Sequence, residues 1–126
     1  MNYLIRPIPY SVAKSFAKTC ELWNLNLDSD NNYYGLYLEG KLVSICAYKQ
    51  IGKFEARLKS NYTLKEYRCR GFMTEMIDYI YRSTNYKVYT AYCEKESLHI
   101  YLQLGFRFIK ERINKKYTCY IVRKDK

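Results

Sequence analysis

The segment Glu66-Tyr67-Arg68-Cys69-Arg70-Gly71-Phe72-Met73 holds the groups in this chain best suited to binding an anion. Two guanidinium groups, Arg68 and Arg70, stand just before a glycine, and the residues after Gly71 switch to a helical apolar period. A helix start exposes N–H groups that lack intrahelical partners at the positive end of the helix dipole, so phosphate oxygens are favoured there. Gly71 carries no Cβ, which lets a pyrophosphate approach the backbone closely. The loop therefore predicts a phosphate-bearing ligand. Taken alone, the Arg-x-x-Gly spacing also describes an ordinary solvated helix start.

Other chemistry-bearing residues do not form comparable groups. Asp28, Asp30, Asn32 and Glu39 have the spacing of a calcium loop, but Tyr33 stands where the sharp turn needs glycine, and the following segment reads as strand. Asp28 and Asp30 are read as loop carboxylates. His99, the single histidine, has no metal-ligating partner at useful spacing, and Cys93 has no histidine placed to activate it. The five cysteines are odd in number and include no C-x-x-C pair, which argues against a disulfide framework and a zinc site. No metal is expected, and a reducing compartment is.

An anion-binding loop needs a strand before it and a helix after it. Residues 54–64 alternate Phe54, Ala56, Leu58, Ser60 and Tyr62 against Glu55, Arg57, Lys59, Asn61 and Thr63, a period of two that predicts a strand. Phe72, Met73, Met76, Ile77, Ile80 and Tyr81 share one face of a helix predicted over residues 71–84, opposite Thr74, Glu75, Asp78 and Arg82. Residues 87–92 form the next strand, which a right-handed crossover lays parallel to the first. Leu98, Tyr101, Leu102 and Leu104 give a further helical stripe ending at Gly105, a C-terminal cap.

Upstream, residues 2–8 read as a short strand limited by Pro7 and Pro9, which offer no backbone donor. Ser11 is the expected N-cap of a helix whose apolar stripe is Val12, Ala13, Phe16, Ala17, Cys20 and Trp23. A polar loop over 24–32 leads to a hairpin of residues 33–38 and 42–48, turned at Glu39-Gly40-Lys41. Residues 106–111 and 116–122 end the chain as strands around Ile113-Asn114-Lys115. The predicted order is βαβββαβαββ, without repeats or linkers, which implies one domain over residues 1–126.

Three segments in this order resemble the GNAT (GCN5-related N-acetyltransferase) superfamily. The loop 66–73 resembles its coenzyme A pyrophosphate loop, Gln/Arg-x-x-Gly-x-Gly/Ala, with departures at Cys69 and Met73. Residues 97–106, Ser97-Leu98-His99-Ile100-Tyr101-Leu102-Gln103-Leu104-Gly105-Phe106, resemble its late helix and Tyr-x-x-x-Gly-Phe ending. Residues 34–43 resemble its early hairpin. The resemblance implies an α/β (α+β) fold in which a mixed, mostly antiparallel twisted sheet of about six or seven strands is flanked by about three helices. Two splayed parallel strands would form the acyl-coenzyme A cleft. The segment between the first helix and the hairpin is short for the family's usual second helix.

The resemblance further implies direct attack of an amine on the thioester of acetyl-CoA, a co-substrate. Backbone groups around Tyr62, Thr63 and Leu64 would pair with the pantetheine arm, and Arg68, Cys69, Arg70, Gly71, Phe72 and Met73 would hold the pyrophosphate. Tyr101 corresponds to the tyrosine that protonates the departing thiolate. With 16 tyrosines in the chain, a core aromatic on an amphipathic helix is the alternative reading of that residue. A lysine-like acceptor amine, with a pKa near about 10.4, must lose a proton before attack. Glu55 is the candidate base on the fourth strand, and an exposed strand carboxylate is its other reading. A water chain or an acceptor of lower pKa serves equally well.

Charge bears on the acceptor. The net charge is +10, with basic residues concentrated over 110–126. That balance fits a nucleic-acid or other polyanion partner, and equally a composition enriched in Lys, Tyr, Asn and Ile. Arg57 and Lys59 would repel a cationic amine and welcome an anionic or nucleic-acid acceptor. Two alternatives therefore stand beside the enzyme: a catalytically inactive GNAT-like binding module, and a nucleic-acid-modifying protein with general similarity to the phage Mom type. The 48% of hydrophobic residues suffice for one core, and no run approaches the roughly 20 apolar residues of a bilayer span. With no signal-peptide pattern at the N-terminus, the expectation is a cytoplasmic protein without a membrane partner, monomeric or homodimeric.

Overall fold

A computed structural model describes residues 2–22 and 27–126. The elements are β1 (Tyr3–Ile8), α1 (Tyr10–Thr19), β2 (Asn32–Leu38), β3 (Lys41–Ile51), β4 (Glu55–Thr63), α2 (Phe72–Ser83), β5 (Val88–Cys93), α3 (Lys95–Gln103), β6 (Arg107–Ile113) and β7 (Thr118–Asp125), with a short 3-10 turn at Lys65–Tyr67. Their order is the predicted one. The seven strands form one sheet in the order β1-β2-β3-β4-β5-β7-β6. Among the described residues only β4 and β5 pair in parallel; every other pair is antiparallel.

Local chemistry accounts for the boundaries. Pro7 is accommodated because β1 is an edge strand, with β2 its single neighbour. The hairpin between β2 and β3 turns on two residues, Glu39 at φ 50° and Gly40 at φ 84°, the pair of positive values that matches the right-handed strand twist. The first helix does not start on Ser11. Its N-cap is Pro9, whose ring-fixed φ of −71° and extended ψ lead straight into the first turn, and Ser11 lies inside the helix. Trp23 and residues 24–26 lie outside the described residues.

The sheet separates two apolar layers. On one face α2 and α3 bury Phe72, Met76, Ile77, Ile80 and Tyr101 against Leu36, Leu58, Tyr89 and Val122. On the other, α1 buries Ala13 and Phe16 against Ile8, Tyr33, Ile45 and Ala47. Each large side chain removed from water this way contributes about 1.5–3 kcal/mol. The α3 stripe is narrower than its sequence suggested. Tyr101 alone is fully buried on this helix, while Leu98 and Leu104 are partly buried and Leu102 remains 45% exposed.

Candidate active site

The parallel pair separates where a ligand could enter. The pairing of β4 with β5 runs from Glu55 and Val88 to Leu58 and Ala91, then stops. Beyond that point β4 stays with β3, whereas β5 stays with β7 through Cys93 and Tyr120. The cause is a bulge. Between the pairs Ala47–Lys59 and Ile45–Tyr62, β4 carries one residue more than β3, and Ser60 takes φ 57° to absorb it. Past Leu58 the two strands therefore share no register, and the gap between them leaves a place for an extended chain.

The bulge also corrects the predicted faces of β4. Strict alternation puts Tyr62 beside Leu58, with Asn61 and Thr63 opposite. The additional residue reverses this. Tyr62 packs edge-on to Phe16 of α1 at 6.1 Å, and Asn61 turns to the α3 side. The Ser44 hydroxyl donates to the Tyr62 carbonyl at 3.1 Å and lies 2.8 Å from the Thr63 hydroxyl, which holds the bulged backbone in place.

Asn61 then meets Tyr101. Its Nδ2 donates to the phenol oxygen at 2.6 Å, while the Cys46 thiol donates to Asn61 Oδ1 at 2.9 Å. Burial, followed by the neighbouring Cys46, pushes the Tyr101 pKa well above its ordinary value, so the phenol keeps its proton at neutral pH. Because Asn61 already donates to the oxygen, the phenol hydrogen remains available to another acceptor. Burial likewise pushes the Cys46 thiol up to about 12 and Cys93 to about 11, which leaves both as neutral thiols and poor nucleophiles.

The Tyr-x-x-x-Gly-Phe segment explains how Tyr101 is held. Phe106 N–H donates to the Tyr101 carbonyl at 3.0 Å, Gly105 N–H donates to the Leu102 carbonyl at 3.1 Å, and Gly105 has φ 90°. These are the two bonds of a Schellman cap, which requires a left-handed residue at the position of Gly105. The accompanying apolar contact is Tyr101 with Phe106, ring centroids 5.2 Å apart. The same glycine that ends α3 thus fixes the ring at the cleft.

At the mouth of the cleft the crossover brings in α2. Gly71 caps it at φ 79°, no side chain caps its first amides, and residues 68–71 are exposed. Cys69 also has positive φ, 63°, so two left-handed residues fold the loop into a concave backbone of the kind that receives anions. Arg70 lies 5.2 Å from the Tyr67 ring, which Lys41 also approaches at 5.3 Å. Arg68 turns back. Its Nε donates to the Thr63 carbonyl at 2.9 Å and its guanidinium covers the Tyr62 ring, so it ties the loop to the end of β4. Phe72 packs inward against Tyr3, and Met73 packs on the core, so these two offer a ligand backbone rather than side chain. A non-glycine at φ 63° costs about 1–2 kcal/mol, so Cys69→Gly is expected to raise stability by about 1 kcal/mol in denaturant unfolding.

Leu64 lies at the end of β4, on the wall of a groove of about 400 Å³ shared with Phe16, Lys41 and Leu42 on the α1 side. Glu55 is not part of this arrangement. It occupies the opposite end of β4, where its Oε2 accepts from Arg57 at 3.1 Å and from Thr90 at 2.7 Å. The Glu55 carboxylate is thus tied into the closed end of the strand pair. Asn61, by contrast, was missed in the sequence, because only the bulge turns it inward. No cluster of three potential metal ligands occurs among the described residues.

The family model described as the Acetyltransferase (GNAT) family matches residues 3–106. No curated protein matches the sequence. Among solved structures, the ribosomal-protein-S18-alanine N-acetyltransferase from Escherichia coli superposes with TM-score 0.79 at 13% identity, over 98% of this chain and 94% of that one. An N-acetyltransferase from Staphylococcus aureus Mu50 gives 0.77 at 15% identity, covering 99% and 98%. NAA60 of Arabidopsis thaliana, solved in complex with acetyl-CoA, gives 0.77 at 12% identity over 98% of both chains. At such identities these structures speak for the fold, and together with the match over residues 3–106 they establish that the chain belongs to the GNAT acetyltransferase family.

Proposed function

We propose that this protein is an N-acetyltransferase that moves the acetyl group of acetyl-CoA directly to an amine. One observation carries the reading. The cleft between β4 and β5 has at its mouth an exposed helix start with two left-handed residues and two arginines, and close by a protonated buried phenol with a free hydrogen. The anion site suits the pyrophosphate, and the gap that opens past the last β4–β5 pair, Leu58 with Ala91, suits an extended pantetheine arm.

The chain's own groups then have distinct tasks. Backbone at Tyr62, Thr63 and Leu64 orients the thioester. The amine nitrogen bonds to the acetyl carbon as the carbon–sulfur bond breaks, the sulfur takes the proton of Tyr101, the amine gives up its own proton to water, and the Tyr101 phenolate regains a proton from water. Asn61 positions the phenol: by filling one lone pair it leaves the O–H directed elsewhere. Glu55 has no part in this proton path, since it is held by Arg57 and Thr90. Asn61→Ala is therefore expected to lower kcat roughly tenfold with little change in KM for acetyl-CoA, and steady-state kinetics on the purified variant would check it. The thiols of Cys46 and Cys93, held neutral by burial, suit a cytoplasmic setting.

Thermal unfolding with acetyl-CoA tests the proposal. A ligand at about 100 times its Kd stabilises the folded state by about 2.7 kcal/mol. For a domain of this size that is a rise in Tm on the order of 10 °C. Absence of any shift at millimolar acetyl-CoA would instead select the non-catalytic binding module.

A further inference from the structure

Among the described residues, one face of the sheet is covered by a helix over only part of its width. Opposite α2 and α3, α1 packs over β1, β2, β3 and the end of β4, and among the described residues no helix packs on the same side of residues 55–59 of β4 or of β5, β7 and β6, where neighbouring side chains leave Thr90, Cys119 and Ile121 9% exposed. Strand register decides which side chains project there. Arg57, Thr90, Arg123 and Arg107 occupy one rank across the four strands. Tyr92, Ile121 and Lys110 make the next rank, with Lys59 at its β4 end, and Arg112 follows beside Cys119. At about 4.8 Å per strand the face is about 14 Å across, wider than a small amine substrate needs.

Its electrostatics are one-sided. The arginine rank carries its own carboxylates: Arg57 pairs with Glu55 at 3.1 Å, and Asp125 pairs with Arg123 at 2.8 Å and Arg107 at 3.7 Å. Among the described residues Lys59, Lys110 and Arg112 have no ion pair. Between the cations lies Tyr92, 43% exposed, with the Arg57 guanidinium 4.4 Å from its ring centroid. Unpaired cations around an exposed aromatic ring are the arrangement that tracks phosphates and stacks a base. An acidic peptide offers carboxylates but no base to stack on the ring, and three of the face's four arginines, Arg57, Arg107 and Arg123, are already occupied by carboxylates.

We infer that this open face binds single-stranded nucleic acid, laid across β4, β5, β7 and β6 with a base on Tyr92. The face reaches the mouth of the cleft through Lys59 and Tyr92, the residues just past the last pair of β4 with β5. That the bound strand, or something attached to it, carries the acceptor amine rests on the acetyltransferase reading; the binding itself does not. Cations at the mouth also favour the neutral form of an amine there, the form required for attack.

The test is fluorescence anisotropy with labelled single-stranded RNA and DNA oligonucleotides over a range of salt. Log affinity should fall linearly with log salt, with a slope near −0.7 for each phosphate contacted. The triple variant Lys59→Ala, Lys110→Ala, Arg112→Ala should bind at least tenfold more weakly, with a slope shallower by about 2. Tyr92→Ala should cost roughly tenfold at unchanged slope. A control triple that removes equal charge elsewhere, Lys53→Ala, Arg82→Ala, Lys87→Ala, should stay near the unmodified protein. Equal losses in the two triples, competition by polyglutamate as strong as by oligonucleotide, or no binding at low salt would each overturn the inference. The acetyl-CoA thermal shift on the same samples keeps the two proposals apart. A shift without nucleic-acid binding removes only the face, and nucleic-acid binding without a shift removes only the enzyme.

Discussion

Tyr101→Phe is expected to lower kcat between a hundredfold and ten-thousandfold, with the affinity for acetyl-CoA unchanged, because it deletes a proton donor and keeps the ring that packs on Phe106. Stability should not be wholly spared. Asn61 Nδ2 loses its acceptor in a half-buried setting, which costs about 1 kcal/mol, so the variant should melt slightly earlier yet remain folded. The pH profile gives an independent check. Burial raises the Tyr101 pKa above its ordinary value, so the phenol stays protonated through neutral and mildly alkaline pH. Turnover should rise with pH as the acceptor amine deprotonates, with no falling limb from this group below pH 10. Equal kcat in the phenylalanine variant and the parent would remove Tyr101 from the chemistry.

The second large effect belongs to the arginines of the loop, and the two should not behave alike. Arg70 is exposed and hydrogen-bonds to no other part of the chain among the described residues; Arg70→Ala should weaken acetyl-CoA binding with stability unaltered. Arg68 holds the Thr63 carbonyl and covers Tyr62, so Arg68→Ala should weaken binding and also loosen the end of β4, by about 1 kcal/mol. Charge-assisted contacts contribute about 1.5–3 kcal/mol each, so the double variant should bind a hundredfold or more weakly and lose its thermal shift. Calorimetric titration beside denaturant unfolding separates the two contributions. A double variant that still shifts fully would place the pyrophosphate elsewhere.

Much of this was legible from spacing. The period-two run before Gly71, the helical stripe after it and the glycine ending α3 define the order of elements through local rules of backbone and side-chain period. The Tyr101-x-x-x-Gly105-Phe106 run is local as well, since a Schellman cap involves only neighbours in sequence. The loop arginines and Gly71 could be named from sequence for the same reason. Where long-range pairing intervened, the sequence misled. Ser60 has no residue-type signal for a left-handed conformation, and its bulge appears only in the register of β4 against β3.

By itself, then, the sequence determined the run of strands and helices, the exposed basic helix start and the residue at the end of α3, all set within a few positions of the residues concerned. Tertiary structure alone decided that Asn61 and not Tyr62 faces the cleft, that Glu55 sits at the far end of β4, and that dispersed cations share one sheet face. The physical reason is register. Shifting a strand by one residue sends every later side chain to the opposite face, and register is settled by partners distant in the chain.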